Sequence, residues 1–211
     1  MDIYATPLLT ARDAATHLRM PESTLDVWLA DDRDDEPLVH SVSPERRGWP
    51  RIPFAGLIEA HVLRSLRDLH MNMEEIRGIA TIIRKEFDDP FALASRRIAT
   101  DGARLFAQLA DNSLVNQHNQ VPIQEVIEEH LRLIHWDDNG RPAQLRLAQY
   151  PAGAEVIIDP RFGWGRPVIA STKVPVAAVV DLWHSGESTD VVAAEFNLSR
   201  DVIEDICRVG A

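Results

Sequence analysis

The stretch Leu8–Ala30, LLTARDAATHLRMPESTLDVWLA, decides how the chain begins to fold. Ala11, Ala14, Ala15 and Leu18 fall on one face of a helix, and Thr10 with Asp13 three residues on forms a weaker version of a capping box. Pro21 stands where a helix starts, and Leu25, Trp28 and Leu29 stripe the segment that follows it. Two short helices joined by so tight a turn predict a helix–turn–helix unit.

Downstream, PLVHSV and WPRIPF flank the turn residues PERRG, which predicts a two-stranded hairpin. From Phe54 the spacing of Leu57, Ile58, Val62, Leu66 and Leu69 predicts a helix. A break near His70–Asn72 precedes a second one carrying Ile76, Ile79, Ile82 and Ile83. Asp88-Asp89-Pro90 ends that run. In the middle, RRIATDGARLFAQL predicts a hairpin turning at Asp101-Gly102. The second half of QVPIQEVIEEHLRLIHW predicts an amphipathic helix, DDNGRP a turn, and AQLRLAQY and EVIID after it two strands.

At the far end GRPVIASTKVPV, residues 165–176, combines β-favouring segments with two prolines and leads directly into helices. It reads as a stiff, proline-punctuated strand. VPVAAVVDLW, STDVVAAEF and SRDVIEDIC predict three short helices, with Ser188 and Ser199 as N-caps. The fold class expected is therefore mainly α with small β elements. Its domains are a winged helix–turn–helix at residues 1–88, a central α+β segment at 89–160, and a C-terminal three-helix unit at 161–211.

Composition narrows the function. The 211 residues include 45% hydrophobic ones, ample for a core, and no apolar run long enough to cross a bilayer. The N-terminus lacks a signal-peptide pattern, and one cysteine, Cys207, forbids an intrachain disulfide; both suit the cytoplasm. A net charge of -11 argues against general attraction to nucleic acid, so any DNA contact needs a local basic patch. His130 and His135, near Asp137 and Asp138, match no zinc spacing and are expected at the surface. There is no phosphate-binding glycine loop, nucleophile elbow or paired-carboxylate motif, so neither an enzyme nor a cofactor is expected.

Residues 8–86 resemble the DNA-binding domain of MerR-type regulators: the helix–turn–helix, a wing ending GWPRIPF, then two helices. Gly48, Trp49 and Arg51 stand in the order of that family's G-Y-R-x-Y element. The last quarter is similar to a small prokaryotic domain with the element G-x-P-x-I-x-G-T-R-I-P-V, here with Ser171 for the glycine and Lys173 for the arginine. Together the two ends resemble VapB-type antitoxins. The resemblance implies a partner PIN-domain ribonuclease toxin, an operator DNA and a homodimer, and makes 165–176 a lead-in strand that pairs with a second strand, which the partner copy could supply.

The recognition helix offers Glu22, Ser23, Thr24 and Asp26, where MerR-type proteins tend to have arginines at the positions of Ser23 and Asp26, and Asp31, Asp32, Asp34 and Asp35 follow. Carboxylates repel phosphates, so the wing is the better DNA contact. Arg46, Arg47 and Arg51 converge there around Trp49, and Arg12 and Arg19 border the same face. The DNA-binding candidates are thus Arg12, Arg19, Ser23, Thr24, Arg46, Arg47 and Arg51. Lys173, Arg200 and Arg208 are the candidates for partner binding. Beside the antitoxin stand two other possibilities: a transcription regulator without a toxin, and an interaction scaffold that touches no DNA.

Overall fold

Thr10 starts the fold as expected. In the computed structural model, which describes residues 1–30, 37–102, 105 and 123–210, its hydroxyl accepts from the Asp13 amide at 3.1 Å. The Asp13 carboxylate accepts from the Thr10 amide in return at 3.3 Å. This reciprocal cap, worth about 1 kcal/mol, opens α1 (Ala11–His17). Arg19 turns the chain at φ 50°, and Pro21 leads into α2 (Glu22–Leu29). Ala14, Ala15, Leu18, Leu25, Trp28 and Leu29 are all buried, and the Trp28 indole N–H donates to Met73 Sδ at 3.3 Å.

The predicted hairpin does not form as two long strands. Instead β1 (Pro7–Leu9) pairs antiparallel with β2 (Ile52–Pro53), and Arg51 N donates to Leu9 O at 2.9 Å. One bond, Val42 N to Arg51 O at 2.8 Å, ties the two arms of the wing. PLVHSV is not a strand because its backbone is engaged elsewhere: Val39 N donates to Trp28 O at 3.1 Å and His40 N to the Glu59 carboxylate at 2.8 Å. The carbonyls of Pro37 and Leu38 also accept from Arg84 Nη1 and Nη2 at 2.8 and 2.9 Å.

Two long helices follow, α3 (Phe54–Asp68) and α4 (Met73–Phe87). Asn72 caps α4 in a capping box with Glu75, and Asp88 ends it in the left-handed region at φ 50°. α3 is buried almost all round from Phe54 to Leu63, so it is the central helix of this part of the chain. Within it the fully buried Glu59 carboxylate accepts from His40 N at 2.8 Å, His40 Nδ1 at 2.8 Å and Arg84 Nη2 at 3.2 Å. A Cβ on Gly56 would overlap the His40 carbonyl, so only glycine lets that segment lie so close to α3.

The middle of the chain departs from expectation twice. Ile98–Gly102 is a π-helical turn rather than a strand, and buried Ile98 and Phe87 pack directly under Gly102; residues 103–104 and 106–109 of that predicted hairpin lie outside the described residues. α5 (Ile123–Leu131) lies in the middle of its segment rather than in its second half, and β3 (Ile134–Trp136) takes the end, leading into a turn closed by Asp137 Oδ1 accepting from Asn139 N and Arg141 N. His135 is exposed as expected, but His130 is largely buried: its Nε2 lies 3.2 Å from Asp68 Oδ2. The His130 carbonyl accepts from Nε2 of fully buried His61 at 2.9 Å.

The described residues form two compact units, Asp2–Ala143 and a second comprising Gln144–Ala211 with Met1. β4 (Pro142–Arg146) runs across the division, and Leu145 and Arg146 pair antiparallel with Ile158 and Ile157 of β5 (Val156–Ile158). β5 pairs in turn with β6 (Val168–Ile169). The lead-in stretch 165–176 therefore finds its second strand within the same chain, and it also folds back on itself: Val168 bridges Pro175, and Ile169 N donates to Val174 O at 2.9 Å. Its tight turn is achieved without glycine by Lys173 at φ 60°. Three helices follow as predicted: α6 (Val176–His184), α7 (Thr189–Phe196) capped by Ser188, and α8 (Arg200–Gly210) with Ser199 Oγ accepting from Val202 N. Val179, Val192, Ile203 and Ile206 form their core, and burial there pushes the Cys207 thiol up. No described helix is long and apolar enough to cross a membrane.

Two measurements test this architecture. Glu59→Ala strands the Arg84 guanidinium in the core, so urea unfolding should show a loss of about 3–5 kcal/mol. Burial lowers His61 to about 4, against the opposing pull of its bond to the His130 carbonyl. Protonation therefore favours the unfolded chain, and stability complete above pH 6.5 should drain by about 3 kcal/mol as pH falls toward 4. His61→Gln should flatten that limb of the urea midpoint against pH; an unchanged slope would place the loss elsewhere.

Candidate DNA and partner interfaces

The outer face of α2 presents Glu22, Ser23, Asp26 and Val27 to solvent, with Thr24 half-buried. Each of its two carboxylates is matched by an arginine from a neighbouring element. Arg12 Nε of α1 lies 3.4 Å from Glu22 Oε2, and Arg51 Nη2 of the wing lies 3.2 Å from Asp26 Oδ1. Both pairs are largely solvated, so each is worth about 0–1 kcal/mol and opens easily. Arg12 and Arg51 thus mask the acids that make this helix repulsive to phosphate. Asp31, Asp32, Asp34 and Asp35 lie outside the described residues.

The wing carries free positive charge. Residues 43–50 are exposed, the Arg46 guanidinium sits 5.3 Å from the centre of the Trp49 ring, and Arg46 O accepts from Trp49 N at 3.1 Å. Arg19, Arg46 and Arg47 are exposed, and no ion pair holds them among the described residues. The fold thus brings Arg46, Arg47 and Trp49 together on one loop, and it turns Arg51 toward α2.

In the second unit the three partner-binding candidates are dispersed. Lys173 Nζ donates to Ala170 O at 2.8 Å and lies 5.7 Å from the Phe162 ring. Arg200 is held by Glu204 at 2.8 Å and Asp190 at 3.4 Å, and Arg208 by Asp205 at 3.3 Å. Arg200 and Arg208 are engaged by carboxylates of α8 and, for Arg200, also of α7, rather than gathered into a patch.

Two further features escape a reading of the sequence for charge and motif. One is the loop Arg161–Arg166, RFGWGR, whose Trp164 is 78% exposed. The other is a groove of about 580 Å³ between α6 and α7, rimmed by Asp181, Glu187 and Glu195. The signal for the loop was present: a tryptophan between two glycines and two arginines. Nothing in the sequence marked the groove, because its acids come from separate elements. Among the described residues no group of three or more His, Cys, Asp or Glu side chains could hold a metal ion.

Comparison with known proteins gives matches at both ends of the chain. Residues 7–80 match a family described as "Putative DNA-binding HTH domain", and residues 156–208 match one described as "Protein of unknown function (DUF433)". The chain is 29% identical over 224 aligned residues to a Mycobacterium tuberculosis protein named "Putative antitoxin VapB45", covering 96% of this chain and 93% of that one. It also superposes on the crystal structure of Rv2018 from Mycobacterium tuberculosis with a TM-score of 0.80. That match has 30% identity and covers 96% of this chain and 98% of the other.

Proposed function

Because the chain belongs to the same family as the solved Mycobacterium tuberculosis protein Rv2018, we propose that it is a VapB-type antitoxin. On this reading it is a cytoplasmic homodimer without catalytic activity of its own. It neutralises a PIN-domain ribonuclease toxin and represses the operon that encodes both. The observation that carries this is the likeness, along nearly its whole length, to a protein named as an antitoxin, together with a helix–turn–helix unit at the N-terminal end. Co-expression with the products of the neighbouring genes, followed by pull-down of the full chain, tests it. A copurifying nuclease whose cleavage stops in the complex is the expected result. Operator binding with no such partner would instead identify a transcription regulator without a toxin.

DNA contact runs through the wing in this proposal. Arg46 and Arg47 reach phosphates, Arg12, Arg19 and Arg51 border them, and Ser23 and Thr24 lie where α2 meets the duplex. The MerR-like arrangement of wing and helices supports that assignment, and so does the concentration of free arginines on one exposed loop. The toxin is met by the C-terminal region, about Val156–Ala211, with Lys173, Arg200 and Arg208 as contacts.

Fluorescence anisotropy on the protein's own promoter should separate these roles. Replacing Arg46, Arg47 and Arg51 together by Ala should weaken binding to every sequence and flatten the salt dependence by about 0.9 unit for each phosphate left without its arginine. Asp26→Asn should do the opposite, since it frees Arg51, and the slope should steepen by about 0.9 unit. No change in either variant would remove the N-terminal unit from DNA. The triple variant Lys173→Ala, Arg200→Ala, Arg208→Ala should keep its DNA affinity but inhibit the copurified nuclease about tenfold less well or worse.

A further inference from the structure

Trp164 occupies an unusual place. Its φ is 52° and its ψ 47°, between Gly163 at φ 69° and Gly165 at φ 83°, so three consecutive residues are left-handed. A bulky aromatic residue in that region is an outlier, and such strain persists only where the surroundings enforce it. Here they do. The fully buried Asp159 carboxylate accepts from Arg161 N at 2.9 Å and Nε at 3.0 Å through one oxygen, and from Arg161 Nη2 at 2.8 Å and Gln144 Nε2 at 2.9 Å through the other. Phe162 N donates to Asp159 O and Arg166 N to Gly163 O, both at 3.0 Å. A Cβ on Gly163 would sit 2.8 Å from Val168 Cγ1, so the loop is packed down on β6 at that point.

The outcome is a rigid loop that holds an indole out in water, with Arg161, Phe162 and Arg166 exposed beside it and Lys173 close to the Phe162 ring. A large, preorganised aromatic with cationic neighbours is the composition of an interface anchor. The same unit carries a seat of matching chemistry. The groove between α6 and α7 has an apolar lining of Leu182, Val191 and Phe196, with Val191 48% exposed, inside a rim of Asp181, Glu187 and Glu195. This open groove has a volume of about 580 Å³, room enough to receive an indole laid against its apolar floor.

We propose that Trp164 of one copy seats in the α6–α7 groove of a second copy, and reciprocally, so that the Arg161–Arg166 loops and the acidic grooves form a two-fold interface. This rests on the homodimer proposed above and names the surface that makes it. Charge complementarity selects the occupant: Arg166, exposed beside Trp164 and held by no ion pair among the described residues, meets three carboxylates at the rim of the groove. A nucleic-acid partner fits less well, because phosphates would lie beside those carboxylates on a chain of net charge -11.

Sedimentation of the full chain over a dilution series tests it, with circular dichroism to confirm folding. Trp164→Ala should weaken dimerisation by about thirtyfold or more. Arg166→Glu in one preparation and Asp181→Arg with Glu195→Arg in another should each self-associate poorly. An equimolar mixture of the two should dimerise again, since every loop then faces a groove of opposite charge. That exchange decides the matter even if Trp164→Ala fails to fold. A wild-type chain that is monomeric throughout would overturn the dimer and this interface together. A dimer indifferent to Trp164→Ala and to the charge exchange would overturn this interface alone. Loss of promoter binding or toxin binding in Trp164→Ala, with dimerisation intact, would assign the loop to that partner and likewise overturn it.

Discussion

A single buried carboxylate organises the first unit. Glu59 lies on the central helix α3 with no access to water, and an uncompensated charge there would be costly. Its oxygens are satisfied from two directions: the amide and ring of His40, and the guanidinium of Arg84 on α4. Arg84 also donates to the carbonyls of Pro37 and Leu38. The chain between α2 and the wing is thereby fastened to both long helices at once. This fixes where the wing leaves the body and hence where Arg46 and Arg47 are displayed. The ring of His40 stacks on Phe91 at 4.3 Å and Phe91 on Tyr4 at 4.7 Å, extending the same clamp to the N-terminus and to the segment after α4.

Electrostatics at the surface follow a different rule. The chain is acidic, and many of its exposed cations are balanced locally: Arg12 by Glu22, Arg51 by Asp26, Arg200 by Glu204 and Asp190, Arg208 by Asp205. Solvated pairs of this kind add little stability, but they decide which positive charge is available to a partner. Among the described residues, exposed cations that no ion pair holds include Arg46 and Arg47 on the wing and Arg166 beside Trp164. A protein of this charge that must touch an anion does so through such islands, where short range defeats the repulsion of the whole.

The second unit solves the problem of a small core in another way. Its three helices are short, and none has an apolar face broad enough to stand alone. They are held by a β meander and by the hairpin of residues 165–176, which turns directly into α6. A buried carboxylate recurs here too, since Asp159 follows β5 and fixes the next loop. Burial alone would raise its proton affinity, but the bonds from Arg161 and Gln144 outweigh that and hold it below the usual carboxylate range.

Local patterns determined a good part of this protein from sequence alone. Caps at Thr10, Ser188 and Ser199, and the apolar spacing along α1 to α4 and α6 to α8, depend on neighbours three or four residues apart, so the sequence shows them directly. The arginines of the wing were visible for the same reason. Tertiary structure decided the rest. PLVHSV has the composition of a strand, yet Arg84, some 46 residues away, captures its carbonyls and folds it onto α3. Ile98–Gly102 has hairpin residues, yet it packs on Phe87 as a helical turn. Arg51 counts as a DNA candidate by type, but its distance to Asp26 sets how much of its charge is free. Which residues meet across space is fixed by packing, and composition records only which residues are present to be packed.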